Sequence, residues 1–219
     1  MFDVSSLSVT HIISVSGTAA FAISAVFAAS NKEVDLFALM VLGVITAVGG
    51  GTLRDTLLQV PVFWSQDMSF IWISLAATTA AFMLYGLLKL AWLNRIYLYV
   101  DSIAIALFAI QGTNKAWELG FGLPLAPVML GVITAVGGGV IRDMLIQRPT
   151  LLFSKELYAI PVALGCALHA LVLHWLPQYA DSSSLAGIAL IVYGRHLSIN
   201  RKLMVPQWAL LGYRFTLIK

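Results

Sequence analysis

Residues 43–59 (GVITAVGGGTLRDTLLQ) and residues 131–147 (GVITAVGGGVIRDMLIQ) are identical at 13 of 17 positions, at a constant offset of 88. A match this long is an internal duplication, so both copies must satisfy the same fold. Pro61 matches Pro149 at that offset, and Phe21-Ala-Ile23 resembles Phe108-Ala-Ile110 after a one-residue shift. The duplicated unit therefore extends well upstream of the shared motif.

The solvent of that unit follows from composition. The 219 residues are 60% hydrophobic and 11% charged, with a mean hydropathy of +0.91. A soluble domain carries roughly 25% charged residues to cover its surface. A chain this poor in charge is covered by lipid. Windows of about 20 residues predict helices over 6–29, 36–59, 69–90, 97–117, 124–147, 156–176 and 184–199. The connections hold the turn formers and most charges: Asn31-Lys32-Glu33, Pro61 through Asp67, Asn94-Arg95, Gly120 through Pro124, Arg148-Pro149 and Pro177 through Ser184. The expected fold class is an all-α integral membrane protein with seven transmembrane helices in one domain, 1–219. Repeat one covers about 6–90, repeat two about 97–176, a seventh helix about 184–199, and a polar tail 200–219. No Lys or Arg precedes the first apolar segment, which argues against a cleaved signal peptide.

Each unit holds three helices. Three is odd, so the second unit starts on the opposite face of the membrane, and the repeats are inverted about an axis in the bilayer plane. With the N-terminus outside, the inner segments hold Lys32, Lys89, Arg95, Arg148, Lys155, Arg195, Arg201, Lys202, Arg214 and Lys219, and the outer loops hold no basic residue. The positive-inside rule then places the N-terminus outside and the C-terminus in the cytoplasm. Arg54, Lys115 and Arg142 fall outside this count because they lie within predicted helices.

Those helices are unusual at their centres. Gly49-Gly50-Gly51 and Gly137-Gly138-Gly139 each weaken a helix by up to about 1 kcal/mol per residue relative to Ala, which predicts a kink or break in helices two and five. Close packing is the other reading, since Gly43 and Ala47, like Gly131 and Ala135, have small-xxx-small spacing. Irregular backbone at membrane depth must be buried in protein or line a wet cavity. Arg54-Asp55 and Arg142-Asp143 follow each triplet by one turn. Charges inside membrane helices cost a few kcal/mol and face protein or water. Neighbouring residues point about 100° apart, so each is expected to reach another helix or a carbonyl freed by the glycine break, and not its neighbour. A structural ion pair and direct contact with a passing ion both fit these residues.

Lys115 sits toward the outer end of helix four, where it either snorkels to the interface or faces a cavity. Asp101, near the inner start of that helix, is read either as interfacial or as a negative charge that attracts cations. Ser14, Ser16, Thr18, Ser24, Gln111 and Asn114 are polar enough to wet a passage, although serines and threonines in helices also satisfy themselves on their own backbone. Nucleic acid is excluded as a partner, since the largest basic cluster is Arg201-Lys202 and no aromatics interleave it. His169 and His174 are five apart, without a carboxylate at ligand spacing, so no metal site is expected. GGGTLRD follows no strand and is not a phosphate loop. No catalytic constellation is visible, and the chain reads as a non-enzyme without cofactors.

Two helices reading GVITAVGGGxxRDxL, the paired FAI segments, Gly-x-x-Lys-Ala at 112–116 and Pro-Val-Phe-Trp at 61–64 resemble the bacterial branch of the trimeric intracellular cation (TRIC) channel family, over roughly residues 6–200. Bacterial sequences of this kind are also described as glycine transporters. The resemblance implies a homotrimer in the inner (plasma) membrane, surrounded by lipid, each protomer carrying its own pore for potassium as the transported ion. It implies that Gly49–Gly51 and Gly137–Gly139 are the kinks, and that Arg54, Asp55, Arg142, Asp143 and Lys115 form a charged network beside the pore. Repeat one departs from repeat two in having Ala25 opposite Gly112 and no lysine matching Lys115. The alternative function is secondary transport of glycine or another small amino acid.

The charge asymmetry makes a topological prediction. A fluorescent protein that matures only in the cytoplasm is expected to shine when fused after Lys219. Darkness there, with an active periplasmic reporter at the same position, would reverse the orientation.

Overall fold

A computed structural model describes residues 9–86, 90–154, 156–201 and 203–205. Most of the expected polar tail lies outside the described residues, as do the first residues of predicted helix one and Lys89, Lys155, Lys202, Arg214 and Lys219 from the charge count. The described chain forms eight α-helices: α1 (Val9–Ala28), α2 (Leu36–Leu57), α3 (Phe63–Gln66), α4 (Ser69–Tyr85), α5 (Leu90–Glu118), α6 (Leu125–Leu145), α7 (Ala159–Trp175) and α8 (Ala180–Arg201). Four segments are long and apolar enough to cross a bilayer: Thr10–Ala28, Leu36–Leu57, Leu93–Glu118 and Leu125–Leu145. Helices α4 and α7 are apolar but have 17 residues each.

Three boundaries differ from expectation. The connection at Asn94-Arg95 is helical, because α5 starts at Leu90 and extends about 43 Å at 1.5 Å per residue. Its polar first turns find partners instead of ending the helix: Arg148 donates to Asn94 and Arg95 to Asn200. The serine run 182–184 is helical as well, since α8 begins at Ala180, and Ser183 returns its hydroxyl to the Ala180 carbonyl at 2.9 Å. Within the connection after Pro61, Phe63–Gln66 makes one short helix, and Trp64 donates to Thr52 Oγ1 at 2.9 Å. Between α3 and α4, the Ser69 hydroxyl and amide hold the Asp67 carboxyl below its ordinary range.

The ends of α2 and α6 show why the duplicated sequence folds twice into one shape. Each helix closes with a C-terminal Schellman pair. In α2, Gln59 donates to the Thr56 carbonyl and Val60 to the Asp55 carbonyl; in α6, Gln147 donates to Met144 and Arg148 to Asp143. Gln59 and Gln147 take the left-handed conformation, φ 56° and 52°, which non-glycine residues enter rarely. Pro61 and Pro149 follow and cannot extend the helix. Asp55 Oδ2 accepts the Phe63 amide at 2.8 Å and Asp143 Oδ2 the Leu151 amide at 3.3 Å, so each buried carboxylate also ties down the chain leaving its helix.

The two FAI segments meet in the main core, with the Phe21 and Phe108 rings 5.2 Å apart. The two glycine helices meet beside it. A methyl group placed on Gly50 would lie 2.1 Å from the Thr134 carbonyl oxygen, and one on Gly138 would lie 2.3 Å from that of Thr46. Likewise Gly49 faces Ile141 and Gly137 faces Leu53. Rising along α2 means descending along α6, so the helices cross antiparallel, and the contact set maps onto itself when the copies are exchanged. Both helices stay continuous through their triplets, which corrects the expectation of a break. The glycines bring backbone against backbone, and each helix keeps its hydrogen bonds while α2 and α6 pack.

Gly50→Ala and Gly138→Ala should therefore each destabilise the protein by roughly 1–3 kcal/mol or more, since a backbone atom blocks the added carbon. Gly86→Ala meets nothing within 4 Å and should be within about 0.5 kcal/mol of wild type. Thermal melting in detergent distinguishes them; equal melting of all three would remove the crossing as a stability determinant.

Candidate functional site

Both arginine–aspartate pairs lie at the last turn of their helix, and all four side chains are buried. The Schellman ends aim each aspartate back across its own turn. Arg54 Nε donates to Asp55 Oδ1 at 2.8 Å, and Arg142 Nε donates to Asp143 Oδ1 at 2.9 Å. Adjacent residues thus do neutralise each other, against the expectation from their 100° separation. Arg54 uses Nε alone, only part-way along the side chain, whereas Arg142 also brings Nη2 to 2.9 Å from the same Asp143 oxygen.

The two guanidinium ends have different surroundings. Arg142 Nη1 donates to Asp101 Oδ1 and to Ser24 Oγ, both at 2.8 Å, and Nη2 donates to the Tyr97 hydroxyl at 2.6 Å. Tyr158 donates to Asp101 Oδ2 at 3.0 Å. Asp101 is fully buried, so the interfacial reading of this residue is corrected: α5 begins early enough to carry it into the core. Arg148 covers the Tyr97 ring at 4.2 Å. This cluster joins α1, α5, α6 and the start of α7, with every Arg142 donor group engaged.

Around Arg54 the balance is reversed. Lys115 Nζ lies 2.7 Å from Asp55 Oδ1, so one carboxylate serves two cations. Lys115 keeps 29% of its side chain exposed, which combines the two sequence readings, since it reaches toward the surface and still joins the buried charges. The Arg54 guanidinium lies over the Phe63 ring at 5.6 Å. Its Nη1 and Nη2 are buried without a hydrogen-bond partner among the described residues. Ser14, Thr18 and Ser24 donate to carbonyls of their own helix, as serines and threonines in apolar helices commonly do. Ser14 and Ser24 also accept bonds from Gln111 and Arg142.

Sequence reasoning missed Arg195. Counted among the inner basic residues although it lies within predicted helix 184–199, it is fully buried in α8, donating to Ser102 Oγ at 3.2 Å and to the Leu157 carbonyl at 3.0 Å, with Tyr158 beneath it at 4.8 Å. Its signal was its place at the fifth position from the end of a marginal apolar segment, which looked like an exit. Tyr97 and Tyr158 were missed too, because aromatic residues in apolar helices read as core. His169 bonds to Ser183 and Asn114 between α7, α8 and α5.

A family model described as "Glycine transporter" matches the chain over residues 11–86 and 98–174. The fold superposes on the TRIC trimeric intracellular cation channel orthologue from Rhodobacter sphaeroides with a TM-score of 0.83 at 29% identity, covering 89% of this chain and 99% of that one. The chain belongs to the TRIC family. This TRIC family member is 34% identical to the UPF0126 inner membrane protein YadS of Escherichia coli K12, over 90% of its own length and 95% of the relative's. It is 39% identical to the UPF0126 membrane protein YvgT of Bacillus subtilis over 71% and 76% respectively. It is a multi-pass membrane protein.

The unequal clusters predict unequal mutants. Asp101→Ala removes the carboxylate facing the Arg142 fork from a fully buried site and should cost about 3–5 kcal/mol. Lys115→Ala leaves Asp55 its Arg54 and Phe63 bonds and should cost no more than about 1 kcal/mol. Chemical or thermal denaturation of both variants checks this, and equal losses would contradict the asymmetry.

Proposed function

We propose that this protein is a channel for monovalent cations, conducting potassium through one pore in each protomer of a homotrimer in the inner membrane. Seven helices cross the bilayer as two inverted three-helix repeats with α8 added, the N-terminus outside and the C-terminus in the cytoplasm. The pore follows α2 and α6. Gly49–Gly51 and Gly137–Gly139 kink there on opening, Arg54, Asp55 and Lys115 flank one side of the crossing, and Arg142 and Asp143 flank the other.

The observation that carries this reading is the antiparallel glycine crossing with a buried charge cluster at each end, in a fold similar to a cation channel orthologue. At the crossing only glycine hydrogens separate the two backbones, so a small parting of α2 from α6 exposes polar carbonyls of Thr46 and Thr134 to a passing ion. Carbonyl oxygens suit a weakly hydrated monovalent cation, and the positive surplus of the Arg54–Lys115 cluster on one side keeps it from binding too tightly to leave.

The description of the matching family model favours a second reading, transport of glycine. In liposomes holding the purified protein, a channel should give potassium flux driven by a membrane potential alone, and glycine uptake should stay at the level of empty vesicles. Glycine accumulation coupled to a sodium or proton gradient, without potassium flux, would replace the channel by the transporter.

A further inference from the structure

Each glycine of the first triplet has its own neighbour. Gly50 meets the Thr134 carbonyl and Gly49 meets Ile141, both on α6. Gly51 turns to another element: a methyl group there would lie 2.4 Å from Phe63 Cε1, so its missing side chain is the seat of the Phe63 ring. At Gly139, the counterpart in the second triplet, a methyl group would come no closer to another described element than 3.4 Å, to the Tyr158 hydroxyl, which is close to an ordinary contact. The third glycine is thus required sterically in repeat one and only loosely in repeat two.

The Phe63 ring is held by contacts that repeat two keeps only in part. The Phe63 amide donates to Asp55 Oδ2 at 2.8 Å, and Trp64 Nε1 donates to Thr52 Oγ1 at 2.9 Å. The Phe63 and Phe70 rings meet edge to face, centroids 4.8 Å apart. At the offset of 88, Thr52, Phe63, Trp64 and Phe70 become Val140, Leu151, Leu152 and Tyr158. The backbone bond survives, from the Leu151 amide to Asp143. The ring on the glycine and the indole bond that clamps it belong to repeat one.

What the ring covers is the free end of Arg54. The guanidinium carbon lies 5.6 Å from the Phe63 centroid, and Nη1 and Nη2 are buried without a hydrogen-bond partner among the described residues. On the Arg142 side the same two nitrogens reach Asp101, Ser24 and Tyr97. A cation–π contact offsets only part of the cost of leaving such donors unpaired. Phe63 is half-buried, so rotation of its side chain is enough to let water reach those nitrogens and supply the bonds the ring cannot. The covered and uncovered arrangements are therefore close in energy, as a switch requires.

We propose that Phe63, clamped by Trp64, is a movable aromatic lid on the repeat-one side of the α2–α6 crossing. Seated on Gly51, it seals the Arg54 end against water and ions; swung away, it opens that end. This gives the Pro-Val-Phe-Trp stretch at 61–64 a task, since Pro61 ends α2 and the next residues fold back onto it. The effect on ions rests on the channel reading, whereas the cover over Arg54 is a property of the fold and is tested without flux.

The test uses the full chain in liposomes, labelled with phenylglyoxal, which modifies accessible guanidinium groups, and mapped residue by residue by mass spectrometry. In wild type, Arg54 is expected to react far more slowly than the exposed Arg95. Phe63→Ala removes the ring and Gly51→Ala pushes it off its seat; both should bring Arg54 to a rate comparable with that of Arg95, while Arg142 stays protected. Potassium flux through Phe63→Ala should exceed that of wild type by roughly two- to thirtyfold, the range that one cation–π contact allows. Labelling of Arg142 together with Arg54 marks a variant that has not folded, and Phe63→Leu, which installs the repeat-two residue, then stands in for Phe63→Ala. Arg54 reacting as fast as Arg95 in wild type, or staying slow in both variants, overturns the lid. An accessible Arg54 with unchanged or reduced flux overturns its role as a barrier to ions. No potassium flux in wild type refutes the channel reading instead, and the labelling then decides the lid by itself.

Discussion

The structure depends on two helices that touch through their backbones. At the α2–α6 crossing there is no room for a side-chain carbon between Gly50 and the Thr134 carbonyl, or between Gly138 and that of Thr46. In lipid, helices gain little from hiding apolar surface from one another, so close van der Waals approach between small residues has to supply the association. That approach sets the positions of everything carried on the two helices. One turn past the glycines the arginines emerge on opposite sides of the crossing, each at a helix end whose Schellman geometry aims its aspartate inward.

Burying a guanidinium in such a bundle requires that its donors be matched, and the aspartates do this economically. One oxygen of Asp55 or Asp143 takes the neighbouring Nε, and the other takes the amide of the departing chain. Ion pair and chain reversal are thus one unit, and changing either aspartate disturbs both. The Nη ends are where the copies diverge. On the Arg142 side they find Asp101, Ser24 and Tyr97; on the Arg54 side the equivalent positions carry no charge and the extra cation Lys115 appears.

Most of the helical frame was legible because hydropathy over about 20 residues and the doubled motif are signals integrated over many side chains. The charged residues that define the site were legible for the same reason in reverse, each being an exception in an apolar run. What the sequence hid was pairing. The Arg54–Asp55 and Arg142–Asp143 bonds depend on where along the side chain the donor sits, which helical angle alone does not encode. Asp101 looked interfacial and Arg195 looked like an exit because both stand near segment ends, and only the true starts of α5 and α8 show how deep they lie. The continuity of α2 and α6 was hidden as well: glycine's intrinsic helix penalty is visible in sequence, but the partner backbone that offsets it is not.

The glycine crossing has a consequence for descent. A set of contacts that maps onto itself when its two sides are exchanged is an isologous interface, the kind that joins identical subunits in a two-fold dimer. A separate chain carrying one copy of the motif would already hold the patch needed to pair with a second copy of itself. In such a pair of separate chains every substitution occurs twice, so a lysine acquired on one side is acquired on the other. Joining the halves in one polypeptide removes that coupling. Lys115 opposite Ala28 and Asp101 opposite Ser14 are differences that a pair of identical chains cannot hold, and they leave the two charge clusters with opposite surpluses.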